Sequence, residues 1–261
     1  MKTWTKIVLV IVLILLLVGI GFLAYGYYNK FIVKRQNPIV TMEIQDYGTV
    51  KMELYPDMAP NTVANFVKLI QNGYYDGLTF HRVVPGFMIQ GGDKKGDGTG
   101  TVTKNDLDPR LNDDSEYTIP GEFIANNFNK NTLRFERGVV AMARADYSSI
   151  SSSLTTEGYN SGGAQFFIMV DENTSLNGTY AAFGKVTEGM DIVDKIVNLE
   201  TEKSSSEDGS ASSSSSSEKP VNPPVISKMT VDTFGVDYGM PKTEKPFDYT
   251  SWLMKKYKQN Q

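Results

Sequence analysis

Phe80-His81-Arg82-Val83-Val84-Pro85-Gly86-Phe87-Met88-Ile89-Gln90-Gly91-Gly92-Asp93 is the most informative run in the chain. It reads as two short strands, Thr79–Val84 and Phe87–Gln90, broken at Pro85-Gly86. One arginine and one glutamine stand among large apolar side chains, and glycines close the run. Upstream, Val40, Met42 and Ile44 alternate with Thr41, Glu43 and Gln45, and Val50, Met52 and Leu54 with Lys51, Glu53 and Tyr55. With Asp46-Tyr47-Gly48 as the turn, this predicts a hairpin. A helix follows: Pro60 suits its first position, Val63, Phe66, Val67 and Ile70 share a face, and Asn72-Gly73 ends it.

Downstream, residues 94–121 and 144–158 read as polar loops. Strand patterns recur at Gly138–Ala143, Gln165–Val170, Tyr180–Val186 and Val225–Phe234, and Met190, Val193, Ile196 and Val197 mark a second helix. Residues 203–219 form a Ser-rich tract with nothing to bury and are expected to be a disordered insertion. Many short strands and two helices predict a mainly β fold, a closed β-barrel with helices over its ends. Residues 237–261 form a C-terminal tail, read either as a short helix touching the barrel or the membrane surface or as a frayed end.

Composition removes several chemistries. The 261 residues include no cysteine, which excludes disulfides and thiolate nucleophiles, and the single histidine argues against a His-based zinc site or a Ser-His-Asp triad. Gly91 to Gly100 lacks the Gly-Lys-Ser/Thr ending of a phosphate loop, and Asp106, Asp108, Asp113 and Asp114 fit no EF-hand spacing, so neither metal nor cofactor is expected. Residues 1–36 carry five basic residues and no acid. That leaves 21 of the 26 basic residues against all 30 acidic ones, a net −9 that argues against a nucleic-acid ligand.

Ile7 to Tyr28 contains no charge, and as a helix it is long enough to cross a bilayer. Residues 1–36 are therefore read as a single-pass membrane anchor with basic flanks, the domain of residues 37–236 lying on the extracytoplasmic side. The alternative is a cleaved signal peptide, for which Ala24-Tyr25-Gly26 fits the small-x-small pattern and which would leave a secreted protein.

With Asn160-Ser161-Gly162-Gly163-Ala164-Gln165-Phe166-Phe167-Ile168-Met169, the opening stretch resembles the cyclophilin family of peptidyl-prolyl cis-trans isomerases. The likeness runs from about Ile39 to Phe234 and points to a membrane-anchored bacterial type. It implies an eight-stranded antiparallel barrel capped by two helices, with the substrate groove on its outer surface. Carried over position by position, it makes Arg82 the catalytic arginine and gives Phe87, Met88 and Phe167 to the proline pocket. Gln90 orients Arg82; Ala143 and Gln165 line the adjoining groove, Leu176 the pocket wall. Tyr180 stands where many members have histidine, Ser175 where many have tryptophan, and Arg144 where asparagine is common. The second departure speaks against tight cyclosporin binding. The implied partners are Pro-containing unfolded or nascent exported polypeptides, bound by a monomer.

Rotation about an X–Pro bond needs no nucleophile, metal or proton acceptor, only tighter binding of the twisted amide than of either planar isomer. A fixed guanidinium that donates to the pyramidal proline nitrogen supplies it. His81 is accordingly read as structural. The rival readings are a Pro-peptide-binding chaperone or scaffold without turnover, and an envelope interaction protein docking through its Ser-rich tract. Neighbouring strand residues face opposite ways, so Phe166 and Phe167 cannot both line the groove, and the resemblance gives Phe166 to the core and Phe167 to the groove. Asn173-Thr174-Ser175 and Asn177-Gly178-Thr179 also match the glycosylation pattern.

Overall fold

The computed structural model describes residues 3–31, 36–202 and 218–259. The chain forms two units, residues 1–36 and 37–261. The first is one helix, α1 (Thr3–Phe31). Its stretch Lys6–Ala24 has a mean hydropathy of 3.4, long and apolar enough for a membrane span or a signal sequence.

The second unit is an antiparallel sheet with helices. The predicted hairpin is β1 (Ile39–Ile44) and β2 (Gly48–Leu54), followed by α2 (Pro60–Gln71). The opening stretch is β3 (Thr79–Val84) and β4 (Met88–Asp93). Its turn is set by chemistry: Pro85 cannot donate, Gly86 adopts φ 73°, and Phe87 N–H donates to the Val84 carbonyl at 3.0 Å. β4 runs three residues further than predicted. Gly92 allows this with φ 86° where a Cβ would lie 2.6 Å from the Ala164 carbonyl, so the strand continues through glycines that carry no strand pattern. Then come α3 (Lys104–Leu107), β5 (Val139–Met142), α4 (Thr155–Tyr159), β6 (Phe166–Met169), β7 (Ala182–Glu188), α5 (Met190–Val197), β8 (Ile226–Asp232) and α6 (Tyr249–Gln259). The short helices α3 and α4 interrupt loops expected to be irregular. Asp106 makes α3 possible by closing a capping box with Thr103.

The strand order is β3-β4-β6-β5-β7-β2-β1-β8. The closed barrel expected from the sequence is corrected here to an open half-barrel, because no ladder joins β3 to β8. Between those edges run one bridge, Thr79 to Val225, and scattered bonds such as Phe80 N–H to the Pro224 carbonyl at 3.0 Å. The reason is local. Pro220, Pro223 and Pro224 precede β8, and proline offers a carbonyl but no N–H to a ladder.

Each sheet face buries its own cluster. The inner face carries the main core, with Phe166 edge-on to Phe66 of α2 (5.4 Å), to Tyr75 (5.6 Å) and to Phe80 (6.1 Å). The outer face carries a smaller cluster of Met88, Phe135, Val139, Ala141, Phe167, Met169 and Ala182. The tail folds back on the domain: Glu244 exchanges both backbone bonds with Thr118, and Phe247 lies 5.5 Å from Tyr147. Of the Ser-rich insertion predicted over 203–219, residues 203–217 lie outside the described residues.

Candidate active site

Strand register puts the candidate residues in one row. Arg82 pairs with Gln90, Gln90 with Phe167, Phe167 with Ala141, and Ala141 with Ala182. Paired residues share a face, so these side chains stand on the outer surface. Arg82 and Phe167 are two strand spacings apart, about 10 Å. Phe166 pairs with Gly91 and Met142 and faces the core, and Phe167 faces outward, as alternation requires.

A hydrogen-bonded chain crosses the row. Arg82 Nη1 donates to Gln90 Oε1 at 3.3 Å, Gln90 Nε2 to Gln165 Oε1 at 2.9 Å, and Gln165 Nε2 to the Gly98 carbonyl at 3.0 Å. Ala143 N–H donates to the Gln165 carbonyl at 2.9 Å, which brings those two together beside the row. Arg82 Nε also donates to the Glu218 carboxylate. A cavity of about 300 Å³ is lined by Gln90, Gln165 and Ala143 together with Tyr147 and Phe247.

The other candidates form an apolar dish. Met88 (1% exposed) and Phe167 (5% exposed) are its floor; half-buried Phe87, Leu176, Ala143 and Tyr180 pack around it. Tyr180 stands edge-on to Phe167 at 5.8 Å. Arg144 lies over the Tyr180 ring, 4.2 Å from its centroid, and its Nε donates to the Thr179 carbonyl at 3.0 Å. The two departures Arg144 and Tyr180 are thus in contact. Ser175, the third, is exposed and donates to Asn173 Oδ1 at 2.6 Å.

Sequence reading missed Phe135 and Glu218. Phe135 stacks under Phe167 at 6.1 Å, with Asn177 Oδ1 accepting from its N–H at 2.9 Å and its carbonyl accepting from Asn173 N–H at 2.9 Å. It lies outside any strand, so no periodicity marks it.

Residues 39–231 match the family model for cyclophilin type peptidyl-prolyl cis-trans isomerase/CLD. The chain belongs to the cyclophilin family. It is 37% identical over 166 residues to peptidyl-prolyl cis-trans isomerase B of Bacillus subtilis, covering 64% of this chain and 95% of that protein. A probable peptidyl-prolyl cis-trans isomerase of Brucella suis is 42% identical over 159 residues, 60% of this chain and 70% of that one. The cyclophilin type peptidyl-prolyl cis-trans isomerase of Cryptosporidium parvum, solved in the presence of the dipeptide Ala-Pro, superposes with a TM-score of 0.55 at 26% identity. It covers 74% of this chain and 98% of that one. The chain is a cyclophilin-type peptidyl-prolyl isomerase.

His81 of this cyclophilin domain lies beside Arg82 but on the buried side, 5% exposed, and neither ring nitrogen has a hydrogen-bond partner among the described residues. Burial pushes its pKa below the ordinary 6.5; Asp93 and Asp97 oppose the shift and Arg82 adds to it. The unfolded chain therefore takes up a proton near pH 6.5 that the folded one refuses, and stability falls as pH drops below that point. We expect His81→Leu to lose that component. The unfolding free energy from urea titrations should fall less between pH 7.5 and 5.5 in the variant than in the wild type, by about 1.4 kcal/mol at most. Equal falls in both proteins contradict this.

Proposed function

We propose that this cyclophilin accelerates X–Pro rotation by stabilising the twisted amide with Arg82 beside the apolar dish of Phe87, Met88, Phe167, Leu176 and Tyr180. The observation that carries the reading is the Arg82–Gln90 hydrogen bond in the same row as Phe167. A proline ring seated on Phe167 has its nitrogen within reach of a guanidinium one strand beyond Gln90. The planar fork, held by Gln90 and Glu218, donates to that nitrogen as it loses conjugation. Ala143 and Gln165 bind the neighbouring peptide backbone.

The substrates are Pro-containing exported polypeptides. Residues 1–36 act as the anchor, 37–236 as the isomerase domain and 237–261 as a tail, with the domain outside the cytoplasm. The apolar length of α1 supports the anchor. Slow proline isomerisation limits the folding of emerging chains, which gives a tethered isomerase its use.

The test is exchange spectroscopy of an Ala-Pro peptide with the full chain in detergent. Catalysed exchange is expected. A folded chain that binds the peptide without speeding exchange overturns the enzymatic reading and leaves a Pro-peptide-binding module. For the anchor, carbonate extraction should leave the protein in the membrane fraction, with the domain open to external protease. A soluble product shortened at its N-terminus contradicts it.

A further inference from the structure

The second partner of Arg82 does not come from the row. It comes from the neck formed by Glu200–Glu202 and Glu218–Val221, the described residues on either side of the Ser-rich tract. Thr201 pairs with Pro220, Glu202 N–H donates to the Lys219 carbonyl at 2.8 Å, and Val221 N–H to the Glu200 carbonyl at 2.9 Å. Lys219 Nζ also lies 2.9 Å from the Glu202 carboxylate. The neck lies along the open side of β3: Val83 N–H donates to the Glu218 carbonyl at 2.7 Å, and the Glu218 carboxylate accepts from Arg82 Nε.

We propose that Glu218 is a positioning residue for Arg82, a role that rests on the reading of Arg82 given above. β3 is an edge strand, so Arg82 has a ladder neighbour on one side only. Gln90 holds Nη1 from that side, at the long distance of 3.3 Å, and a single long bond leaves a four-torsion side chain free to swing. Glu218 holds Nε from the opposite side. Two acceptors at different nitrogens define the guanidinium plane, as one acceptor cannot. Of the five N–H donors of arginine, three then have no partner among the described residues and remain for the substrate. The half-exposed pair keeps the contribution small: arginine and glutamate side chains are 38% and 48% exposed, and pairs so solvated contribute no more than about a fivefold effect. Energy already committed to holding the fork is not drawn from substrate binding, so the effect belongs in kcat rather than in KM.

The experiment compares wild type, Glu218→Ala, Glu218→Gln, Arg82→Ala and the double variant Arg82→Ala/Glu218→Ala, as full chains in detergent, on one X–Pro peptide. Glu218→Ala should lower kcat about fivefold with KM and melting temperature unchanged. Glu218→Gln, which keeps an acceptor, should recover most of that loss. The double variant should be no slower than Arg82→Ala. Raising salt should slow the wild type toward Glu218→Ala and leave that variant nearly flat. A Glu218→Ala protein as fast as wild type, beside an Arg82→Ala protein that is inactive, overturns the positioning role and leaves the reading of Arg82 standing. A faster Glu218→Ala protein overturns it too, because the carboxylate is then a competitor for the guanidinium. A further loss in the double variant shows action through some other group and is equally fatal. An Arg82→Ala protein with wild-type kcat sinks the underlying reading itself.

Discussion

Arg82→Ala should lower kcat/KM for an X–Pro peptide about a hundredfold while the domain melts as before. In the mechanism proposed above, the variant loses a preorganised donor aimed at charge that develops only in the transition state, a loss of about 2.7 kcal/mol. Its location in kcat follows from the division of the site. On the proposed reading the dish of Phe87, Met88, Phe167, Leu176 and Tyr180 takes the ring in either isomer, so truncating the arginine should leave peptide affinity largely in place. The fold is spared because Arg82 projects from the outer face and its side chain is 38% exposed. Arg82→Lys should recover only part of the loss, since an ammonium keeps the charge but not the planar fork that Gln90 and Glu218 hold. Exchange spectroscopy separates rate from affinity in one experiment. An alanine variant within threefold of wild type contradicts the mechanism.

Glu122→Ala should destabilise the domain by about 3 kcal/mol, the sum of a lost helix cap and two buried donors left without partners. Helix α2 begins at Ala59-Pro60, and alanine has no side-chain oxygen to cap it. The cap is supplied from 60 residues away. Glu122 Oε1 accepts from Asn61 N–H at 2.9 Å, and Oε2 accepts from Thr62 N–H and Thr62 Oγ1, both at 2.7 Å. Glu122 is 4% exposed, so water cannot replace it, and its charge faces the positive end of the helix. Since α2 carries Phe66 into the main core, fraying there loosens the ring cluster around Phe166. For a unit of this size, the expected fall in melting temperature is roughly 6–12 °C. Glu122→Gln, which keeps one acceptor, should fall between. A melting temperature within 2 °C of wild type for the alanine variant would show that α2 does not depend on this cap.

The sequence by itself determined what depends on neighbours in the chain. Alternation at Val40, Met42 and Ile44 located β1, Pro60 and Asn72-Gly73 bounded α2, and Pro85-Gly86 placed the turn between β3 and β4. The contiguous runs around Arg82 and Gln165 carried the family, and two-residue periodicity already separated Phe166 from Phe167. Tertiary structure alone decided what depends on residues far apart. Opening of the barrel reflects prolines before β8 meeting the free edge of β3, almost 150 residues earlier, a pairing that no local pattern encodes. Phe135 reads as a stray apolar residue until Asn173 and Asn177 pin it beneath Phe167. Nothing beside Glu122 or Glu218 in the chain marks a cap or a clamp; folding sets one on a helix end and the other on a guanidinium. Periodicity records which face of an element is apolar. It does not record which distant group will meet a polar atom on that face, because that contact exists only once the sheet has curved.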